Sequence, residues 1–129
     1  FWYHVKHNTS GGIIKMTNKI DSQMLKGILY GCILLLLSKK EMYGYMISEE
    51  LDIYGFKNIS KGTIYPLLLS LEKKGLIIGD LKPSIYGPRR KYYSLTEKGI
   101  KEKQEFFKEW NQLNSCLTNL IKGVDEYEN

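Results

Sequence analysis

The stretch SKGTIYPLLLSLEKKGLIIGDLKPSIYGPRRKYYSLTEKG (Ser60–Gly99) decides the fold, because its hydrophobic periodicity changes partway along it. Leucines and isoleucines first recur at helical spacing, which predicts a helix over Lys61–Lys74. Two short strands, Leu76–Lys82 and Arg90–Leu95, then flank a loop that contains proline and glycine. The stretch therefore predicts a helix followed by a β-hairpin.

Two further helices precede this stretch and one follows it. The segment Met24–Leu37 is apolar on nearly every side, so it must be covered from more than one direction. A second helix is predicted over Met42–Tyr54, and a long last helix begins after Thr96 and runs to about Lys122. Three helices followed by a hairpin is the order of a winged helix-turn-helix. The expected fold class is α+β, mainly helical, with a long C-terminal dimerisation helix.

Capping residues support these boundaries. Ser60 and Thr96 stand where side-chain oxygens cap helix N-termini. Gly55 and Gly75 stand where helices commonly end in a left-handed conformation.

Composition limits the functional classes. The 129 residues with 43% hydrophobic content suit one compact domain, and no apolar run approaches the roughly 20 residues of a membrane helix. Cys32 and Cys116 lack ligand spacing, so free thiols in a reducing, cytoplasmic protein are expected. The sequence has no catalytic triad, paired catalytic carboxylates, phosphate-binding glycine loop or metal cluster, which predicts no enzyme, cofactor or metal.

The chain divides into three predicted regions. Residues 1–15 differ in composition from the rest and are interpreted as a non-native extension ahead of Met16. His4 and His7 lie in this extension and have no third ligand. Residues 16–95 are predicted to form the winged helix-turn-helix, and residues 96–129 the dimerisation helix and tail.

Positive charge is concentrated in the middle of the chain. Residues Lys57–Lys103 carry 11 basic and four acidic side chains, whereas the whole chain has a net charge of only +5. This clustering is typical of a surface that neutralises phosphates, although a solvated lysine face remains the alternative. Arg89 and Arg90 are the only two arginines beside 17 lysines, which indicates a role that lysine fills poorly, such as forked phosphate contacts or insertion into a minor groove.

The last helix has an apolar face suited to a partner helix. Its apolar residues form three rows that repeat every seven residues and cover an arc of about 100°, with the row of Trp110 in the middle. Together with the apolar first helix, this face predicts a homodimer. The predicted dimer contacts are Leu29, Ile33, Leu113, Leu117, Leu120 and Ile121.

The stretches Ser60–Ile77 and Gly87–Gly99, with the tripeptide YGY at Tyr43–Tyr45, resemble the PadR family of bacterial transcriptional regulators. The single long helix after the wing is similar to the short-chain branch, whose members dimerise with that helix packed against the partner's first helix. The resemblance implies a double-stranded DNA operator as partner. Ser60 could also act only as a cap, and Tyr43 only as core. The implied and predicted DNA contacts are Tyr43, Ser60, Lys61, Gly62, Thr63, Tyr65, Arg89, Arg90 and Lys91.

An effector, if one exists, is predicted to be small, planar and aromatic or apolar, and to bind at the dimer seam. Trp110 lies in the middle row of the apolar face, where a large flat ring can stack with a planar guest. Phe106, Phe107 and the partner's first helix complete the predicted pocket. The alternative is that Trp110 only fills the core.

Two classes of function remain after enzymes are set aside. The first is a DNA-binding repressor released by such an effector. The second is a winged-helix protein-interaction module that never binds DNA. Binding to duplex DNA that weakens steeply with salt separates the first from the second.

Overall fold

The structure, a computed structural model, describes residues 22–85 and 87–128, and the predicted extension at residues 1–15 lies outside them. In chain order the elements are α1 (Ser22–Leu37), α2 (Gly44–Ile53), α3 (Lys61–Lys73), β1 (Ile77–Ser84), β2 (Gly87–Leu95) and α4 (Glu97–Glu128). This order confirms the predicted mainly helical α+β architecture. None of the described helices is long and apolar enough to span a membrane.

Helix α1 is the centre of the core. It packs against α2, α3, β2 and α4, which explains why its sequence is apolar on nearly every side. Leu29 and Ile33 are fully buried within the single chain. Their assignment to the dimer interface is therefore wrong, because side chains that already fill the chain's own core cannot contact a second copy.

Helices α2 and α3 form the helix-turn-helix. Gly55 (φ 104°) and Gly75 (φ 75°) both take the left-handed conformation that glycine permits, which confirms the predicted stops. Ser60 is the N-cap residue of α3, but its hydroxyl makes no capping hydrogen bond. It lies 3.2 Å from the Thr63 hydroxyl instead, so the predicted side-chain cap is wrong.

The wing is an antiparallel hairpin of β1 and β2, and its strands are longer than predicted. The register runs from Ile77↔Leu95 to Lys82↔Arg90 and resumes at Ser84↔Gly87 after an irregularity. Pro83 stands at that irregularity, where a residue without an amide hydrogen cannot donate to the ladder.

A backbone bridge attaches the wing to the helices. The amide of Met42 donates to the carbonyl of Tyr93 (3.1 Å), and the amide of Tyr93 donates back (2.8 Å). Helix α2 therefore begins at Gly44 rather than at Met42, because the backbone of Met42 is extended and paired with β2. Tyr93 is buried and Tyr92 half-buried, which confirms that only one of the two faces the core.

Helix α4 leaves the core as it proceeds. The Thr96 hydroxyl accepts a hydrogen bond from the amide of Gly99 (3.1 Å), which confirms the predicted cap, and donates to the carbonyl of Gly75 (2.6 Å). The helix continues to Glu128, one and a half turns beyond the predicted end. Its large apolar residues are strongly exposed toward its C-terminal end: Leu113, Leu117, Leu120, Ile121, Val124 and Tyr127.

Candidate nucleic-acid interface

The N-terminal end of α3 is open to solvent and polar. Ser60, Lys61 and Gly62 are exposed, and Thr63 is half-buried beside the Ser60 hydroxyl. A Cβ atom added to Gly62 would meet only the Ser60 Oγ atom, at 3.6 Å, so the space above this glycine is free. The first turn of α3 therefore presents hydroxyl and ammonium groups with room for another backbone to approach.

Two tyrosines connect this end of α3 to the start of α2. The Tyr65 ring packs against Gly44 so closely that a Cβ atom there would lie 2.8 Å from its ring atoms, while Tyr65 remains 46% exposed. The Lys61 ammonium lies 5.5 Å from the centroid of the Tyr45 ring. Tyr45 is itself exposed beside the site.

The two lysines of the wing are paired with carboxylates of the helical body. Lys82 Nζ donates to both carboxylate oxygens of Glu41, at 2.6 and 2.8 Å. Lys91 Nζ lies 3.1 Å from each carboxylate oxygen of Glu72, on α3. These hydrogen bonds raise the pKa of both lysines above the ordinary value. Lys91, predicted to contact phosphate, is therefore engaged by α3 in the free chain.

Among the residues that the structure describes, the two arginines have no such carboxylate partner. No ion pair among residues 22–85 and 87–128 includes Arg89 or Arg90. Arg89 is exposed and donates from Nη2 to the carbonyl of Leu81 at 3.2 Å. Arg90 is half-buried, with its guanidinium carbon 4.5 Å from the centroid of the Tyr43 ring. Neighbouring residues of a strand face opposite sides, so the side chains of Arg89 and Arg90 lie on opposite faces of the wing.

Tyr43 stands between the wing and α2. It is the residue that precedes the first turn of α2, it is half-buried, and its ring meets the edge of Tyr92 with centroids 5.2 Å apart and planes at 79°. The sequence left Tyr43 open between DNA contact and core, and the structure places it in an aromatic contact with the wing.

An apolar groove of about 750 Å³ lies between α1, α2 and α4. Phe106, Phe107 and Trp110, the three predicted effector residues, all line it. Helix α1 of the same chain lines the groove with them, and the contribution of the partner's first helix stays a prediction. Burial raises the pKa of Cys32, in the groove wall, to about 11, so this thiol stays protonated at neutral pH.

Sequence reasoning missed Glu41, Glu72 and Tyr45 as neighbours of the site. Glu41 is 41 residues from Lys82 and Glu72 is 19 residues from Lys91, so no local pattern joins either pair. In the described ranges, no group of three or more His, Cys, Asp or Glu side chains could hold a metal ion.

Comparison with known proteins places the chain in a family. The model of the transcriptional regulator PadR-like family matches residues 33–105. A PadR-like transcriptional regulator from Bacillus cereus is 49% identical and has a TM-score of 0.70, with 78% of this chain and 97% of that one covered. A Streptococcus transcriptional regulator is 43% identical, with a TM-score of 0.71 and coverage of 78% and 98%.

An uncharacterized protein of Lysinibacillus sphaericus is 32% identical over 111 residues, which are 82% of this chain and 99% of that protein. The chain belongs to the PadR-like family of transcriptional regulators. Its members are regulators and not enzymes, so the predicted family, winged-helix fold and non-enzymatic role are confirmed.

Proposed function

We propose that this chain is a dimeric repressor that binds duplex DNA through α3 and the wing and is released by a planar aromatic effector. One observation carries the DNA-binding part. The exposed N-terminal turn of α3 and the two arginines of the wing present positive charge that no carboxylate of the described residues neutralises. Uncompensated cations beside an open helix N-terminus suit a surface that receives phosphates.

The two parts of this surface would contact DNA differently. Lys61, Thr63 and Tyr65 project from the start of α3, the end that meets base edges when a recognition helix lies in the major groove. The free space above Gly62 suits close approach of a DNA backbone. Arg89, on the exposed side of the wing, is the residue we assign to the phosphate backbone or the minor groove. Ser60 contributes a hydroxyl at the same end of α3.

Pairing with Glu72 does not remove Lys91 from this surface. Its side chain is 44% exposed in the free chain. An incoming phosphate could therefore share Lys91 with the carboxylate. The gain in binding free energy would be smaller than at Arg89, which no carboxylate of the described residues pairs with. We assign Arg89 the larger contribution of the two.

A second copy of the chain is the occupant that we propose for the apolar face of α4. Leu113 and Leu120 are 67% and 64% exposed, and Leu117 and Ile121 are more than half exposed. A face of this size is uncommon on a soluble monomer. We propose residues 16–95 as the DNA-binding part and residues 96–129 as the dimerising part. A twofold dimer would read two half-sites about 34 Å apart, one helical turn of DNA.

The proposed effector site is the groove beside Trp110. Its volume, about 750 Å³, is in the range of small-molecule pockets, and its lining includes three aromatic residues of α4. A planar aromatic guest would lower DNA affinity only if it bound the DNA-competent and released arrangements unequally. In a chain that begins at Met16, Trp110 is the only tryptophan, so its fluorescence reports on this site alone.

Salt-dependent binding to a random-sequence duplex tests DNA binding directly. Lys61→Gln and Arg89→Gln should each weaken binding and reduce the slope of log affinity against log salt by about one unit for each lost phosphate contact. Lys108→Gln is the matched control, because it removes an exposed charge on α4, away from α3 and the wing. Equal effects of all three substitutions, or no binding by the wild type, would favour the protein-interaction module.

A further inference from the structure

The wing is attached to the helix-turn-helix at its inner end by backbone. The Met42–Tyr93 bridge joins β2 to the segment before α2, and Tyr93 pairs with Gly79 in the hairpin. Arg90 lies three residues farther toward the tip, opposite Lys82 and next to the irregularity at Pro83. Among the described residues, side chains connect the outer half of the wing to the helices, and they include Lys82, which pairs with Glu41, and Arg90.

Besides the Lys82–Glu41 and Lys91–Glu72 pairs, Arg90 makes a side-chain contact that leads from the wing toward the N-terminal end of α3. Its guanidinium carbon lies 4.5 Å from the centroid of the Tyr43 ring. Tyr43 directly precedes Gly44, and Gly44 is the residue against which the Tyr65 ring packs. One arginine of the wing is thus linked through two adjacent backbone residues to a side chain at the start of α3.

The environment of Arg90 differs from that of an exposed arginine that is available to bind phosphate. The side chain is half-buried, and its Nε atom is buried with no hydrogen-bond partner in the described structure. Arg89, on the other side of the strand, is exposed and donates only to a backbone carbonyl of the hairpin. A planar, delocalised cation over an aromatic ring is an arrangement that lysine reproduces poorly.

We propose that Arg90 is a positioning residue, which fixes the outer half of the wing and Tyr65 relative to each other through Tyr43. This inference rests on the proposed DNA binding and assigns the two arginines separate roles: Arg89 contacts DNA, and Arg90 orients the surface. It also accounts for an arginine in a chain that otherwise uses lysine, because the contact needs the flat guanidinium and not only its charge.

The test uses a duplex selected by the wild-type protein from a random-sequence pool, and a scrambled duplex of the same length. Arg90→Lys keeps the charge, so the salt slope and the affinity for the scrambled duplex should stay unchanged. Affinity for the selected duplex should fall about three- to tenfold, the range expected for loss of a partly desolvated cation–π contact. Lys108→Arg, a charge-conserving exchange at an exposed position of α4 outside the proposed DNA surface, is the matched control and should change it less than twofold.

A double-mutant cycle with Tyr43→Leu completes the test. If Arg90 acts through Tyr43, the double variant should bind the selected duplex no more weakly than the weaker single variant. Additive losses, or an Arg90→Lys affinity within twofold of the wild type, would overturn the inference. Thermal unfolding of each variant separates positioning from stability, because a merely structural role would lower Tm and affect both duplexes equally.

The outcomes also separate this inference from the proposed function. A wild-type protein that enriches no duplex would overturn both. Wild-type binding with an unaffected Arg90→Lys variant would overturn only the role of Arg90. If Tyr43→Leu does not fold, the affinities of Arg90→Lys and Lys108→Arg for the two duplexes are sufficient to test the inference.

Discussion

The winged helix-turn-helix body buries its apolar residues, whereas the far half of α4 exposes them. In the body, Leu29, Leu68 and Ile77 are at most 2% exposed, whereas Leu113 and Leu120 of α4 are 67% and 64% exposed. The body is packed from all sides by elements of the same chain. The far half of α4 extends past those elements and presents a continuous apolar face to its surroundings.

The difference indicates which part of the chain buries its apolar residues within the monomer. Full burial of one leucine contributes about 1.5–3 kcal/mol relative to leaving it exposed, and the body gains this within the monomer. Among the described residues, no element covers the face of α4, so the described part of the monomer does not gain this burial there. A body packed within the monomer and a helix with an exposed apolar face fit the proposed function, in which one part contacts DNA and the other binds a second copy.

The largest expected effect comes from placing charge on the α4 face. Leu117→Asp with Leu120→Asp should weaken dimerisation by more than roughly 100-fold, because each subunit loses two apolar contacts and gains two carboxylates. Light scattering at micromolar concentration should change from about twice 15.0 kDa for the wild type to 15.0 kDa for the variant. Gln112→Asp is the control, since Gln112 is exposed and lies about 160° from the Trp110 row. A wild type that is already monomeric would remove the distinction between the two regions.

The two ends of α4 should respond oppositely to the same substitution. A Cβ atom at Gly99 would collide with the backbone carbonyl of Leu76, so Gly99→Ala should lower the free energy of unfolding by about 1–3 kcal/mol. Gly123, in the far half, has no neighbour within 4 Å of an added Cβ, so Gly123→Ala should raise it by about 0.5–1 kcal/mol. Denaturant unfolding measures both, and changes of the same sign would contradict the division of α4.

A smaller effect is expected where α2 meets α3. Gly44→Ala would place a methyl group 2.8 Å from atoms of the Tyr65 ring, and this ring can turn away because it is 46% exposed. We therefore expect a loss of stability below about 1.5 kcal/mol, together with weaker binding to a selected duplex. Gly62→Ala is the control for stability, because its added methyl group meets only a hydroxyl at 3.6 Å. Unchanged DNA affinity in Gly44→Ala would show that the position of Tyr65 does not matter.

The smallest effect concerns the ion pairs of the wing. The pKa of Lys82 is raised above 10.5 mainly by its hydrogen bond to Glu41. The pKa of Lys91 is raised in the same way by its hydrogen bond to Glu72. A lysine whose pKa is raised in the folded state stabilises that state fully below pH 10.5. This stabilisation is lost as the pH rises through the folded-state pKa. The stability gap between wild type and Glu41→Gln should therefore stay constant below about pH 10.5 and close as the pH rises above that value. A gap independent of pH would show that the contact is not ionic.

Local sequence signals predicted the elements and much of the site. The glycine stops at Gly55 and Gly75 and the Thr96 cap were correct because each depends on residues within one turn of the chain. Phe106, Phe107 and Trp110, the predicted effector contacts, line one groove because they share one helix face. Helical periodicity is enough to predict such sets.

Contacts between distant segments were not predictable. Leu29 and Ile33 were assigned to the dimer because a helix that is apolar all round does not indicate which side faces its own core. The pairing of Lys82 with Glu41 joins residues far apart in sequence. The residues around an exposed lysine do not indicate which carboxylate it pairs with. The strands exceeded their predicted lengths because ladder pairing resumes beyond Pro83.

The most direct test of the account is the stoichiometry of the chain on a duplex that it selects from a random pool, measured by analytical ultracentrifugation and footprinting. The account predicts two chains for each duplex, with two protected half-sites about one helical turn apart, since the body binds DNA and the α4 face binds a second copy. One chain for each duplex, or no selected duplex at all, would contradict it.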